Sequence, residues 1–168
     1  MIIRDANEAD IGTLVTLLRS SFRDVAEKFE LTIENCPRFP AFNAKERIEG
    51  DFKKGLKFYI LEENSRPCGC IAFEKAGSDV CYLERLAVLP EHRNKGFGKA
   101  LVNHLFKQAG ITGIRRVEIG IISKHKKLKN WYKQFGFAQK AVKKFDHLPF
   151  IVAFMSAGID DKPTMENL

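Results

Sequence analysis

The stretch that most constrains this chain is residues 80–109, VCYLERLAVLPEHRNKGFGKALVNHLFKQA. Residues 80–89 are apolar or aromatic except around Glu84 and Arg85, a pattern that predicts a strand buried on both faces near the middle of a sheet, ended by Pro90. Further on, Leu101, Val102, Leu105, Phe106 and Ala109 recur at spacings of three and four, which predicts an amphipathic helix of about three turns with Gly110 as its stop. Between the two lie Arg93, Asn94, Lys95, Gly96, Phe97, Gly98 and Lys99. A helix start offers unpaired N–H groups and a partial positive charge, and two glycines let that backbone approach a ligand closely. With the cations Arg93, Lys95 and Lys99 beside them, the turn reads as a pyrophosphate cradle. Gly98 is expected at positive φ, so that a side chain there would project into the phosphate space.

Spacing decides which kind of cradle this is. A Walker loop needs four residues between its first glycine and Gly-Lys-Ser/Thr, but Phe97 alone separates Gly96 from Gly98, and Ala100 stands where the hydroxyl belongs. A dinucleotide fingerprint needs a small residue three after the second glycine, where Leu101 stands, and the first hundred residues do not read as strand-helix-strand repeats. Taken alone, the turn also fits a glycine-rich basic loop on a solvated surface.

The rest of the chain supplies a defined order of elements. A strand over 1–4 precedes a helix capped by Asn7, with Ile11, Leu14, Val15, Leu18 and Phe22 on its buried stripe. Residues 24–42, with Pro37, Pro40, Phe39 and Phe42, read as a loop-rich segment and a candidate lid. Asn43 is expected to cap a second helix over 44–54, stopped by Gly55. Strands over 57–63, 68–76 and 80–89 are separated by short turns and predict an antiparallel meander. After the cradle helix, a strand over 115–123 returns parallel to the cradle strand. A helix over 126–135 and two strands, 137–145 and 150–157, complete the order.

At 168 residues the expectation is one domain over 1–157, with 158–168 a frayed tail. No apolar run spans a bilayer and no secretory leader opens the chain, so a soluble, cytoplasmic protein is expected. Cys36, Cys68, Cys70 and Cys81 lack paired metal-ligand spacing, so neither a metal site nor a disulfide is expected. The formal charge of +7 suits an anionic ligand, and the lysine runs at 124–129 and 140–144 read as solvated faces rather than a nucleic-acid groove.

Arg93-x-x-Gly96-x-Gly98, after a strand ending Leu86, Ala87 and Val88, resembles the acyl-CoA pyrophosphate motif of the GNAT N-acyltransferases, and the order of elements resembles that fold along nearly the whole chain. The resemblance implies an α/β (α+β) fold: a mixed, mostly antiparallel sheet of six to seven strands, about four helices on both faces, and a splayed parallel strand pair at the CoA site. A second block, Trp131, Tyr132, Lys133, Gln134, Phe135, Gly136 and Phe137, resembles the family's Leu-Tyr-x-x-x-Gly-Phe segment. His125 stands where the family has an Asn that holds the pantetheine arm, and Leu128 where it has Ala. His125 therefore reads either as a partial replacement for that Asn or as a solvated residue at a helix start.

What the resemblance implies for chemistry is acetyl transfer from acetyl-CoA to a primary amine of a small molecule or peptide, by direct attack through a tetrahedral intermediate and without a metal. The cosubstrate would be held by Leu86, Ala87, Val88, Arg93, Asn94, Lys95, Gly96, Phe97, Gly98, Lys99, His125 and Leu128. Tyr132, whose phenol keeps its proton near neutrality, would protonate the leaving thiolate. Glu84 is the first candidate base if burial raises its pKa; its other reading is an ion pair with Arg85 or a lysine. In an unbroken strand Glu84 shares a face with Leu86 and Val88, whereas a bulge reverses that relation. Glu118 and His147 are weaker base candidates. The acceptor would be chosen by residues 22–42 and the hairpin around His147, whose aromatics and Arg38 suggest an acceptor with a hydrophobic or acidic part. An acyl-CoA-binding sensor without catalysis and a basic nucleic-acid-binding domain are the alternatives. Neither a membrane nor nucleic acid is the expected partner, and a homodimer is left open.

Overall fold

A computed structural model describes residues 1–160, with elements β1 (Ile2–Asp5), α1 (Ile11–Lys28), α2 (Lys45–Lys53), β2 (Lys57–Glu63), β3 (Arg66–Lys75), β4 (Val80–Val88), α3 (Phe97–Ile111), β5 (Arg116–Ile122), α4 (Lys126–Lys133), β6 (Ala138–Lys144) and β7 (Ile151–Gly158). The strands form one seven-stranded sheet in the order β1-β2-β3-β4-β5-β7-β6. Only β4 and β5 run parallel; the other neighbours are antiparallel. No described helix is long and apolar enough to cross a membrane.

Alternation along the strands sends side chains to two cores. Tyr59, Leu61, Phe73, Leu83, Val117 and Ile119 pack with Leu101, Leu105 and Phe106 of α3, while Phe58, Ile60, Cys70 and Ala72 pack with Leu14, Leu18 and Ile48 of α1 and α2. Each fully buried aliphatic side chain contributes about 1.5–3 kcal/mol. Cys68, Cys70 and Cys81 serve these cores as small hydrophobes, Cys36 packs with Leu31, Phe39 and Ile122 in a third cluster, and burial pushes the Cys70 and Cys81 thiols up to about 12.

The central irregularity is in β4. Its register with β3 passes from Cys70↔Ala87 to Ala72↔Glu84, two residues on β3 against three on β4, and Arg85 takes a positive φ of 54°. This is a bulge, and it settles the facing of the strand. Leu83 and Leu86 both reach the α3 side, whereas Glu84 lies opposite Ala72 on the α1/α2 side. Arg85 also turns to that side, where Nη2 and Nε donate to Asp51 of α2 at 2.9 and 3.2 Å. Both side chains are under a tenth exposed, and Arg47 approaches the same carboxylate at 3.7 Å. A bulge bends the strand that carries it, and the pairing of β4 with β5 holds for Val80↔Arg116, Cys81↔Val117 and Tyr82↔Glu118 and ends before the bulge.

Several boundaries differ from the sequence expectation, each for a local reason. Asn7 caps a 3-10 turn, Glu8–Asp10, rather than α1 itself; its side chain accepts from the Ala9 N–H, while the Asn7 N–H donates to Asp10. Helix α1 runs on to Lys28, because Val25 and buried Ala26 continue the stripe of Leu18 and Phe22. Asn43 does not cap α2: Ala44 occupies that position, and Asn43 is buried with its carbonyl accepting from Arg19 Nε at 2.6 Å. Gly110 does not end α3, which continues to Ile111; the left-handed residue that turns the chain is Gly113, φ 81°. Helix α4 stops at Lys133, and Gly136, φ 88°, makes the turn into β6. Of the expected tail, Gly158 pairs with Arg116 and Ile159 donates to the Arg115 carbonyl at 2.8 Å, while 161–168 lie outside the described residues.

Removing Asp51 strands a guanidinium in an apolar interior, so Asp51→Ala is expected to lower unfolding stability in urea by about 3–5 kcal/mol. Combining Asp51→Leu with Arg85→Met removes both charges and is expected to recover at least half of that loss. A double variant as unstable as the single one would show that the buried charge is not what matters.

Candidate active site

Where β4 and β5 separate, a cleft of about 1350 Å³ opens through the sheet. Of the residues singled out from the sequence, Glu84, Leu86, Ala87, Val88, Arg93, Asn94, Gly96, Phe97, Gly98, Lys99, His125, Leu128 and Tyr132 all line it. Lys95 does not: it is exposed, with Nζ 3.4 Å from His92 Nδ1.

At one end the turn into α3 points its backbone at the cleft. Gly96 is the N-cap with φ 81°, and Asn94 also has positive φ, 62°. The first N–H closed into the helix is that of Ala100, onto the Gly96 carbonyl at 3.0 Å, leaving those of Phe97, Gly98 and Lys99 for an anion. Gly98 has ordinary helical φ, so the expectation of a left-handed conformation there is corrected. Its small size serves packing, since a Cβ would lie 3.2 Å from the Trp131 indole of α4. Phe97 is buried in the α3 core, and its ring stacks on His92.

Arg93 is not a free cation of the turn. Its Nε donates to the Val88 carbonyl at 3.2 Å, Nη2 to the Ser21 carbonyl at 2.6 Å, and Nη1 forms an ion pair with Asp24. That guanidinium holds the Asp24 carboxyl below its usual range. The charge therefore locks the turn to α1 and to the end of β4, and Lys99 is the lysine of the turn that faces the cleft.

On the α4 side, His125 is the N-cap, and its Nδ1 accepts from the Leu128 N–H at 3.4 Å. Burial, with Lys28 nearby, pushes its pKa down, so the neutral ring that capping requires is the favoured form. One ring nitrogen is thus occupied within the helix, leaving Nε2 for any other contact. Tyr132 is 5% exposed, set between the rings of Trp131 and Phe137, and burial first, then the nearby Glu84 charge, raises its pKa.

Glu84 faces the cleft from β4. It is not the partner of Arg85, whose guanidinium is on Asp51, and among the described residues its carboxylate makes no hydrogen bond or ion pair. Burial raises its pKa, with Arg85 pulling partly back. Glu118 also lines the cleft, paired with Arg116 at 3.0 Å, whereas His147 stays on its hairpin against Phe145. Beyond Tyr82 the β4 edge facing β5 carries no ladder; Ala87 turns its carbonyl to β3, where it pairs with Cys70, so the backbone groups left for a ligand on that edge are those of Leu86 and Val88, apart from the Val88 carbonyl held by Arg93.

Sequence reasoning missed Ser21 and Asp24 as anchors of the turn, because no spacing links α1 to residue 93. It equally missed Glu63, Cys68 and His92, whose ligand-type atoms lie within 4.8 Å of one another at the foot of the turn, brought together from three elements. Arg38, taken as a candidate acceptor contact, does not line the cleft.

The fold of this chain has known relatives. A paia N-acetyltransferase from Thermoplasma acidophilum, solved in complex with coenzyme A, superposes with a TM-score of 0.78 at 18% identity, covering 94% of this chain and 98% of that one. The ribosomal-protein-S18-alanine N-acetyltransferase from Escherichia coli gives 0.76 at 15% identity over 99% and 97%. A GNAT family acetyltransferase from Elizabethkingia anophelis with acetyl-CoA bound gives 0.61 at 16% identity over 68% and 83%. At these identities the likeness is one of fold. An uncharacterized N-acetyltransferase of Methanocaldococcus jannaschii is 32% identical over 95 residues, which span 52% of this chain but only 41% of that protein. The model of the acetyltransferase (GNAT) family matches residues 18–137, well over half of the sequence, and the chain belongs to that family.

Proposed function

We propose that the protein is an acetyl-CoA-dependent N-acetyltransferase in which Glu84 is the base and Tyr132 the acid. The observation that carries this reading is one gap between two strands lined by a carboxyl raised by burial and a buried phenol, close enough for the charge of one to affect the other. The α3 N-terminus supports a pyrophosphate at the gap's end, with Lys99 adding charge. The open β4 edge supports an extended pantetheine arm.

The acceptor arrives as an ammonium and gives a proton to Glu84, directly or through water. The neutral amine attacks the thioester carbon, and the developing oxyanion accepts a hydrogen bond from the backbone N–H of Leu86 or Val88. The oxyanion collapses back to the carbonyl as the carbon–sulfur bond breaks, Tyr132 protonates the departing thiolate, and the attacking nitrogen sheds its second proton through solvent, which returns a proton to the Tyr132 phenolate. The products are the N-acetylated amine and CoA.

The cosubstrate is expected to bind with micromolar Kd, about −8 kcal/mol, by calorimetry. Gly98→Val pushes Trp131 towards the gap, so it is expected to weaken acetyl-CoA at least tenfold, with partial recovery in Gly98→Val/Trp131→Leu. If neither CoA nor acetyl-CoA binds the unmodified protein, the cradle has another ligand.

Tyr132→Phe removes an interaction made as the bond to sulfur breaks, so kcat is expected to fall about 100-fold or more with acetyl-CoA affinity unchanged. An unchanged kcat with chemistry rate-limiting removes Tyr132 from the mechanism.

For Glu84, kcat/KM is expected to fall as pH drops through an apparent pKa above the ordinary carboxylate range, and Glu84→Gln is expected to lose that limb and regain part of its activity at alkaline pH. The raised pKa also fixes a stability sign. The folded state holds this proton more tightly than the unfolded chain, so stability is lost as pH rises from the unfolded towards the folded pKa. Glu84→Gln is therefore expected to melt higher than the parent at pH 7–8 and to lose that advantage in acid. A lower Tm at both pH values would mean that Glu84 is held by favourable contacts.

A further inference from the structure

We infer that the acceptor is a lipophilic ammonium: a primary amine on an apolar, ring-sized body with no carboxylate beside it. This rests on the acetyltransferase reading above and concerns the α1/α2 side of the cleft, opposite α3 and α4.

On that side the middle of the sheet is left uncovered. Tyr82 of β4 and Phe154 of β7 are 39% and 37% exposed, and between them β5 presents Gly120, exposed and without a side chain. A Cβ at Gly120 would lie 3.3 Å from Val152 and 3.5 Å from the Phe154 ring, so the bare position opens a floor beside an aromatic wall. Phe39 and Phe150 line the cleft from the α1–α2 connection and the β6–β7 hairpin, packing on the cluster around Ile122. A contiguous apolar surface of this kind inside a cleft favours a ligand that brings apolar surface of its own.

The charges on this side select the sign of the ligand. Glu84 and Glu118 face the floor from β4 and β5. The cation that also lines it, Arg85, is committed to Asp51 by two of its nitrogens and is 8% exposed. A cationic head thus meets the unpaired carboxylate of Glu84 and that of Glu118, whose own partner Arg116 is half exposed, while an acceptor carboxylate meets like charge and only guanidinium groups already committed to Asp51 and Glu118. A second ammonium in place of the apolar body would lie against aromatic walls and lose its hydration. Lys28 lines the cleft too, but beside Phe29, whose ring meets His125 at the α4 end.

Three matched amines test this with the 168-residue protein and acetyl-CoA, following thiol release. They are 2-phenylethylamine, phenylalanine (the same body with a carboxylate) and putrescine (a second ammonium in place of the ring). The expected kcat/KM for 2-phenylethylamine exceeds each of the others at least tenfold. Phe154→Ala is expected to raise KM for 2-phenylethylamine several-fold, leaving KM for putrescine and the Kd of acetyl-CoA unchanged. Turnover that favours phenylalanine or putrescine, or a Phe154→Ala that raises KM for every amine alike, overturns this inference and leaves the acetyltransferase reading standing. Acetyl-CoA binding with transfer to none of the three overturns the lipophilic-amine inference, and failure with a wider range of amines as well overturns the enzymatic reading beneath it.

Discussion

The ion pair between Arg85 and Asp51 holds the one irregularity on which the rest of the molecule depends. A non-glycine residue at positive φ costs roughly 1–3 kcal/mol and persists only where its surroundings fix it. Here α2 supplies a buried carboxylate, and the extra β4 residue is turned out of the ladder to meet it. The consequence is a change of facing along a single strand. Before the bulge Leu83 serves the α3 core; after it Leu86 and Val88 take over that side, and Glu84 and Ala87 face α1 and α2.

The gap opens beside the same bend. Seven strands with one parallel pair would otherwise make a continuous sheet, and a continuous ladder leaves no backbone groups for a ligand. Because β4 and β5 stop pairing after Tyr82 and Glu118, the sheet has an internal edge that can be lined from both faces. Glu84 is cut off from a partner by the same arrangement: the nearest guanidinium is already satisfied by Asp51, so burial is the leading influence on its carboxyl and the charge of Arg85 only a partial offset.

The turn at the head of α3 is stabilised by a division of labour among its residues. Gly96 supplies the left-handed backbone, Gly98 makes room for Trp131, and Arg93 ties the turn to α1 and to the carbonyl of Val88. Three bonds from one guanidinium fix the direction in which the free N–H groups point, which a flexible lysine ammonium could not do. Electrostatic attraction for an anion is then left to the helix end and to Lys99.

The sequence by itself determined the order and type of the elements, because periodicity and turn residues act over short stretches: the meander 57–88, the cradle turn and the crossover to β5 are all local patterns. It also singled out the residues of the turn, since a helix start with two glycines is a local arrangement, whereas Glu84 and Tyr132 were picked out through the family resemblance and the chemistry it implies. Helix ends were less legible. Gly110 and Asn43 have the residue types of a stop and a cap, yet α3 runs past Gly110 to Ile111, with the left-handed turn at Gly113, and Ala44 rather than Asn43 is the N-cap of α2. Only the tertiary structure decided the facing of Glu84, because one inserted residue reverses a strand and no alternation reveals it. It likewise decided that Arg93 binds Asp24 and Ser21, that Arg85 belongs to Asp51, and that Gly98 is kept small by an indole from another helix. Each of these is a contact between residues more than thirty positions apart, and such pairings are set by how elements pack rather than by how the chain reads.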